Sequence, residues 1–322
     1  MKAIRFATAG GPEVLEVVDV EPPTPGPGQV LVAVQYAGVN FIDTYHRSGL
    51  YPLPLPSGNG LEGVGTVTAV GEGVTTREVG QRVVWADTLG SYAEQVVVKA
   101  DRCVVVPDGV DPAAACALAL QGMTAHYLAF STFPLGKEHT ALVYAAAGGV
   151  GRILVQLAVQ RGARVLACTS TEEKAAAVRA LGAHEVIPYR DVDVAATVRE
   201  LTGGTGVDVV YDSVGAATWQ ASLDSLRPRG TAVFYGNASG PMPPIDLLEL
   251  NRRGSLYVTR PKLFDYVATG EELSWRAGAL HGLVTSGNLT VDIHATYPLA
   301  QAAQAQRDLE SGTTAGKLLL EI

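Results

Sequence analysis

The stretch Leu142-Val-Tyr-Ala-Ala-Ala-Gly-Gly-Val-Gly151 restricts the fold of this chain more than any other. An apolar run over 140–145 meets a glycine-rich turn, which opens directly into Arg152-Ile-Leu-Val-Gln-Leu-Ala-Val-Gln160. Val150, Ile153, Leu154, Leu157 and Ala158 recur there at helical spacing, predicting a buried strand, a tight turn and an amphipathic helix. Ala146, Gly148 and Gly151 hold the first, third and sixth places of the dinucleotide fingerprint, with alanine in place of the first glycine. Glycine at 148 lets backbone approach a pyrophosphate, glycine at 151 lets the helix pack on the strand, and free N-terminal amides meet phosphate charge. Such a turn also occurs where a helix merely packs tightly, so its surroundings decide the reading.

Downstream, strand and helix patterns alternate over 164–168, 172–181, 185–187, 192–201, 207–212, 219–226 and 231–235. This alternation predicts a doubly wound parallel sheet that binds its ligand beyond the C-terminal ends of the strands. Those ends carry Thr169-Ser170-Thr171, Tyr189-Arg190, Ser213-Val-Gly215 and Gly236-Asn-Ala-Ser-Gly240, and an apolar strand over 255–259 ends at Arg260-Pro261. Upstream, short strand patterns over 2–6, 14–18, 29–35, 63–70, 82–86 and 94–98 are broken by proline and glycine, the signature of a small irregular β-barrel. The segment 38–51 between them reads as a site-forming loop. After Pro107 the pattern turns helical: Asp111 can cap, and Pro112 suits a first turn. The tail, from about Trp275, reads as a helix pair and the strand 317–322, rejoining the first domain. Domains are expected at 1–123, 124–265 and 266–322, the last part belonging with the first.

The chain of 322 residues is long enough for two domains; 47% are hydrophobic and 17% charged, as in a folded α/β protein. Its net charge of −8, with no basic run, argues against nucleic-acid and anionic-membrane binding. Cys103, Cys116 and Cys168 are isolated, which excludes a disulfide scaffold and points to a reducing compartment. No secretory segment and no apolar run near the ~18 residues of a membrane span is found, so a cytoplasmic location is expected.

An NAD-preferring fold places an acidic residue at the tip of its second strand. Here the tip is Cys168-Thr-Ser-Thr171, with no carboxylate, and Glu172, Glu173 and Lys174 follow inside the next helix. Ser170 with Glu173 fits a capping box, compatible with phosphate contact at the same terminus. Lys174 is placed to neutralise a 2′-phosphate, or else is a solvated helix lysine. Missing acid and present lysine together favour NADPH. Tyr189 either stacks on adenine, touches that phosphate or covers the surface.

Asn40-Phe-Ile-Asp-Thr-Tyr45, Arg47-Ser-Gly-Leu-Tyr51, 145–151, Tyr211-Asp-Ser-Val-Gly215 and Gly254-Ser-Leu-Tyr-Val-Thr-Arg-Pro261 resemble the zeta-crystallin-like NADPH:quinone oxidoreductases, zinc-independent medium-chain dehydrogenase/reductases. The resemblance covers nearly the whole chain. It implies a GroES-like β-barrel catalytic domain built from both termini, a Rossmann domain between, and a homodimer joined through Rossmann edge strands, with 255–259 the strand nominated. It further implies that Asn40 and Tyr45 lie near the nicotinamide and that Thr124 touches the cofactor. Gly148, Gly149 and Val150 would cradle the pyrophosphate, while Ser170, Lys174 and Tyr189 would hold the 2′-phosphate end. Ser213, Tyr235, Gly236 and Asn237 would line the path to the nicotinamide, with Arg260 closing on it. Where zinc-dependent members place their ligands, this chain has Asn40, Gly60-Leu61-Glu62 and Leu120-Gln121. Leucine cannot ligate and a catalytic zinc takes three protein ligands, so no metal is expected.

Without a metal, the acceptor should already be electron-poor, as quinones are, with orientation and water exclusion in an interdomain cleft as the protein's contribution. Asn40, Tyr45, Tyr51 and Arg260 are the candidate donors to the acceptor oxygen. Reduction of activated carbon–carbon double bonds is the rival, with Tyr51 where enoyl-thioester reductases hold their catalytic tyrosine. A non-catalytic NADPH- or RNA-binding protein is the alternative from another class.

Overall fold

The computed structural model describes residues 1–322. It divides into two units, Met1–Met123 with Tyr266–Ile322, and Thr124–Asp265.

The first unit begins with the strands Lys2–Phe6 (β1), Glu16–Asp19 (β2), Gln29–Val39 (β3), Ser57–Gly58 (β4), Gly63–Val70 (β5), Arg82–Trp85 (β6), Gln95–Lys99 (β7) and Val104–Val105 (β8). In β3, alternation buries Val30, Val32 and Val34, which pack with Val67, Val83, Trp85, Val96 and Val98. Burying each such side chain contributes roughly 1.5–3 kcal/mol, which sets the register of the long strand. The segment expected to be a loop after β3 contains the helix Phe41–Ser48. The Asp43 carboxylate accepts the Asn40 N–H at 2.8 Å, and Gly49, at φ 81°, ends the helix. Phe-Ile-Asp-Thr-Tyr has weak helix propensity, so caps and packing form this helix.

A helical run follows the strands. Asp111 accepts from the Ala114 N–H and Pro112 sits in the first turn, as its sequence predicts. The run Pro112–Thr132 contains two π-turns and is the one helix of membrane-span length and hydropathy, but 78% of its apolar window is buried within the protein.

The second unit holds Thr140–Val143 (β9), Arg164–Thr169 (β10), Glu185–Pro188 (β11), Val207–Asp212 (β12), Leu226–Phe234 (β13) and Tyr257–Thr259 (β14). All pair in parallel in the order β11-β10-β9-β12-β13-β14, the doubly wound arrangement with its switch point between β9 and β12. Both faces are covered, so the strands read as continuous apolar runs: Ala141, Leu142 and Val143 of β9 are wholly buried.

The chain then returns to the first unit through the helix Gly270–Thr285, the strand Ile293–Pro298 (β15), the helix Ala302–Glu310 and the strand Lys317–Glu321 (β16). β15 was not expected; its alternate positions carry His294, Thr296 and Pro298, which dilute its apolar pattern. The sheet runs β15-β16-β3-β5-β6-β8, with β7 also on β3. It does not close into the expected barrel. β3 gives 29–33 to β7 and 36–39 to β16, so the ladder forks instead of returning on itself.

Candidate functional site

In the second unit the glycine turn joins β9 to the helix Gly149–Gln160. Ala145 holds the left-handed conformation at φ 48°, uncommon for a residue with a Cβ. Gly148 donates its N–H to the Ala145 carbonyl at 2.9 Å and caps the helix Gly149–Gln160. A Cβ on Gly151 would strike that same carbonyl oxygen and come within 2.7 Å of the Ala146 Cα, both backbone atoms that cannot yield. A Cβ on Gly148 would meet only that oxygen, at 3.2 Å. Gly151 thus lets the helix pack directly on the strand end, and the first-turn amides of Gly149 and Val150 lie at a helix N-terminus with no side-chain cap, which fits a dinucleotide phosphate.

At the tip of β10 the helix Glu172–Ala180 is capped by Thr171, whose hydroxyl accepts from the Lys174 N–H at 3.3 Å. The expected Ser170–Glu173 box is thus displaced by one residue, because Thr171 is the last residue in extended conformation. Tyr189 is stitched to this tip by its N–H on the Thr169 carbonyl at 3.2 Å. Burial lowers the pKa of the Lys174 ammonium, and the like charge of Arg190 lowers it further against the opposing pull of Glu173. Two cations and no strand-tip carboxylate make this corner suited to a dianion. Arg190 was not singled out from sequence, although its position directly after Tyr189 was a usable signal.

The loops after β12 and β13 are laced together. Tyr235 donates its N–H to the Asp212 carbonyl at 2.8 Å, Ala238 to that of Ser213 at 3.1 Å, and Ala216 to that of Gly240 at 3.0 Å. A Cβ on Gly236 would collide with the Ser213 carbonyl oxygen and lie 2.9 Å from its Cα, so only glycine fits there. Arg260, after β14, donates to the Gly236 carbonyl at 3.2 Å. Ser213, Tyr235, Gly236, Asn237 and Arg260 are thereby gathered on one set of loops. The Tyr235 hydroxyl is buried, which pushes its pKa up. Thr124 is a buried residue of the helix Met123–Tyr127.

The first unit contains a buried polar centre. Asn40 donates its side-chain amide to Glu62 at 2.7 Å and accepts on its oxygen from Gln121 and from the Lys317 ammonium, each at 3.0 Å. Lys317 is in ion-pair contact with Glu62, whose other oxygen accepts the Leu120 N–H at 2.7 Å. Gly38 leaves room for this group, since a Cβ there would meet both Glu62 and Lys317. Beside it Asp43 accepts from the Tyr92 hydroxyl and the Asn40 N–H, both at 2.8 Å, and its other oxygen is buried without a partner. Burial pushes the Asp43 carboxyl up to about 7, with Glu62 adding to the rise and Tyr92, Asn40 and Lys317 opposing it. Tyr45 packs edge-on against Tyr51 with ring centroids 5.2 Å apart, and Tyr51 donates its N–H to the Tyr45 carbonyl.

Lys317 escaped the sequence reading because Lys-Leu-Leu-Leu-Glu resembles a strand entered from solvent. Pairing Leu318 with Val39 puts Lys317 opposite Asn40, a relation across nearly the whole chain. These side chains do not fit zinc. Leu61 offers no ligand atom, Asn40 and Gln121 are joined to each other, and an ammonium already neutralises Glu62.

Comparison with known proteins bears on both units. Residues 26–108 match the family model described as alcohol dehydrogenase GroES-like domain, and 149–270 the one described as zinc-binding dehydrogenase. The chain is 47% identical to a quinone oxidoreductase of Pseudomonas aeruginosa over 99% of both chains. It is 42% identical to a 2-haloacrylate reductase of Burkholderia sp, covering 97% of this chain and 96% of the relative. The solved structure of Escherichia coli quinone oxidoreductase complexed with NADPH superposes with a TM-score of 0.97 at 43% identity, covering all of both chains.

Proposed function

This chain belongs to the quinone oxidoreductase family, a zinc-independent branch of the medium-chain dehydrogenase/reductases, and from that membership we propose that it reduces quinones with NADPH and without a metal. It is an NADPH-dependent oxidoreductase. When bound, NADPH supplies a hydride from its dihydronicotinamide ring.

The first-turn amides of Gly149 and Val150 bind the pyrophosphate, and Gly148, whose own N–H is held by the Ala145 carbonyl, lets the backbone approach it. Ser170, Lys174 and Tyr189 take the 2′-phosphate end, with the charge of Arg190 beside them. Thr124, Ser213, Tyr235, Gly236 and Asn237 hold the nicotinamide end, and Arg260, tethered to the Gly236 carbonyl, closes on it. Asn40 spends its amide on Glu62 and its oxygen on Gln121 and Lys317. It therefore orients the start of the helix that carries Tyr45, and the hydroxyls of Tyr45 and Tyr51 face the acceptor.

The observation that carries the quinone reading is the filled polar centre. Lys317 and Asn40 satisfy Glu62 where a catalytic metal would need ligands, so no Lewis acid polarises the acceptor. A quinone needs none, because its reduced oxygen is a stable anion that takes its proton from water. Steady-state NADPH oxidation with 1,2- and 1,4-quinones tests this: turnover is expected with both, and turnover only with enones or haloacrylates would overturn it.

Reduction of activated double bonds is the second reading, supported by the haloacrylate-reducing relative and by the edge-on Tyr45–Tyr51 pair. That chemistry needs a proton donor at carbon, for which Tyr51 is the candidate. A cytoplasmic homodimer belongs to the same proposal. The dimer is supported by β14, an edge strand whose Tyr257 is 63% exposed and which leaves one side of its backbone unpaired within the chain.

A further inference from the structure

We propose that Asp212 is the positioning residue for the nicotinamide half of the cofactor site. The carboxylate lies at the end of β12, beside the switch point of the sheet, and is wholly buried. One oxygen accepts the Val214 N–H at 2.7 Å and the Gly215 N–H at 3.1 Å. The other accepts the Thr218 hydroxyl at 2.7 Å and the Ser222 hydroxyl at 2.6 Å. Four donors occupy its lone pairs, so Asp212 has no capacity left for a ligand and acts through what it holds.

What it holds is the loop that begins at Ser213. Val214 and Gly215 are drawn back over the strand end, and Gly215 adopts φ 91° with no room for a Cβ against the Gly240 carbonyl. The second loop is fastened to the first. The Ser239 hydroxyl donates to the Val214 carbonyl at 2.8 Å and accepts the Ala217 N–H at 3.0 Å. Arg260 then hangs from Gly236. Thr124 apart, the groups assigned to the nicotinamide end thus share one anchor, while the corner formed by Lys174 and Tyr189 is built on β10 and β11. Loss of the anchor should free one end of the site and spare the other. This inference rests on the reading that the two loops hold the nicotinamide.

Calorimetric binding of NADPH and of adenosine 2′,5′-bisphosphate separates the two ends. Asp212→Asn keeps the size but cannot accept four hydrogen bonds; it should weaken NADPH about tenfold and leave the bisphosphate within about twofold. Asp212→Ala should weaken NADPH further, and if it does not fold, Asp212→Asn carries the test alone. Equal loss for both ligands in Asp212→Asn would show a general structural role and overturn the proposal, as would unchanged NADPH affinity. Gly236→Ala is the control for the underlying reading. If it binds NADPH normally, the loops do not hold the nicotinamide and the proposal falls with them. If it is impaired while Asp212→Asn is not, only the role of Asp212 is lost.

Discussion

The Lys317 ammonium rests against the Glu62 carboxylate with neither side chain open to solvent, at 1% and 0% exposure. One charge enters from the last strand of the chain and the other from the segment before β5. Between them they fasten Asn40, the residue that begins the helix carrying Tyr45.

Breaking that pair on one side should be costly. Lys317→Met leaves Glu62 buried and uncompensated and is expected to lose about 3–5 kcal/mol of stability. The double change with Glu62→Gln removes the stranded charge and should recover most of it. Urea unfolding of the wild type, the single and the double variant checks this, and a single variant as stable as wild type contradicts it.

Asp43 makes stability depend on pH. Its carboxyl titrates near 3.8 when unfolded and at about 7 when folded, so the native state binds the proton more tightly. Its contribution is fully present below about pH 4, is lost as pH rises towards 7, and changes no further above that, a loss on the order of a few kcal/mol. Asp43→Asn removes this term. Urea midpoints at pH 4.5 and 8 should therefore fall more in wild type than in the variant, and parallel changes would refute the assignment.

The glycine turn should tolerate no methyl group at 151. Gly151→Ala sets a Cβ against the Ala145 carbonyl and the Ala146 Cα. A cost of about 1–3 kcal/mol is expected, together with loss of the stabilisation that NADPH confers. Thermal unfolding with and without NADPH measures both, and an undiminished upward shift with NADPH would contradict the cradle.

Lys174→Ala should discriminate between cofactors. With Arg190 remaining, NADPH should weaken about tenfold or more and NADH by less than about twofold. Equal weakening would remove Lys174 from the phosphate site.

Tyr51→Phe distinguishes quinone from double-bond chemistry. Quinone reduction should persist within a few-fold. A loss beyond roughly 100-fold, about 2.7 kcal/mol of transition-state stabilisation, would make Tyr51 a proton donor in quinone turnover.

The elements legible in the sequence are those made by neighbours along the chain. The strand–turn–helix at 140–160 follows from apolar spacing and three small residues, and the parallel sheet from the alternation after it. The missing acid at Thr169–Thr171 pointed to NADPH. The helix Phe41–Ser48 was hidden because Phe, Ile, Thr and Tyr favour strands, and the Asn40–Asp43 cap outweighs them only once it is buried. β15 was hidden because it borrows its order from β16. The barrel was expected from many short strands, yet whether strands close depends on how β3 shares its edges.

The sequence by itself therefore determined the strand–turn–helix at 140–160, the alternation behind the parallel sheet, the small residues at the phosphate turn and the absence of a ligating side chain at Leu61. Only the tertiary structure decided which charges meet. Glu62 and Lys317 stand 255 residues apart and Asp212 gathers donors from a loop and the following helix. Spacing along a chain reports period and turn chemistry over a few residues. Partnership between buried charges is set by strand register, and a register such as Leu318 on Val39 is settled by the packing of the whole sheet.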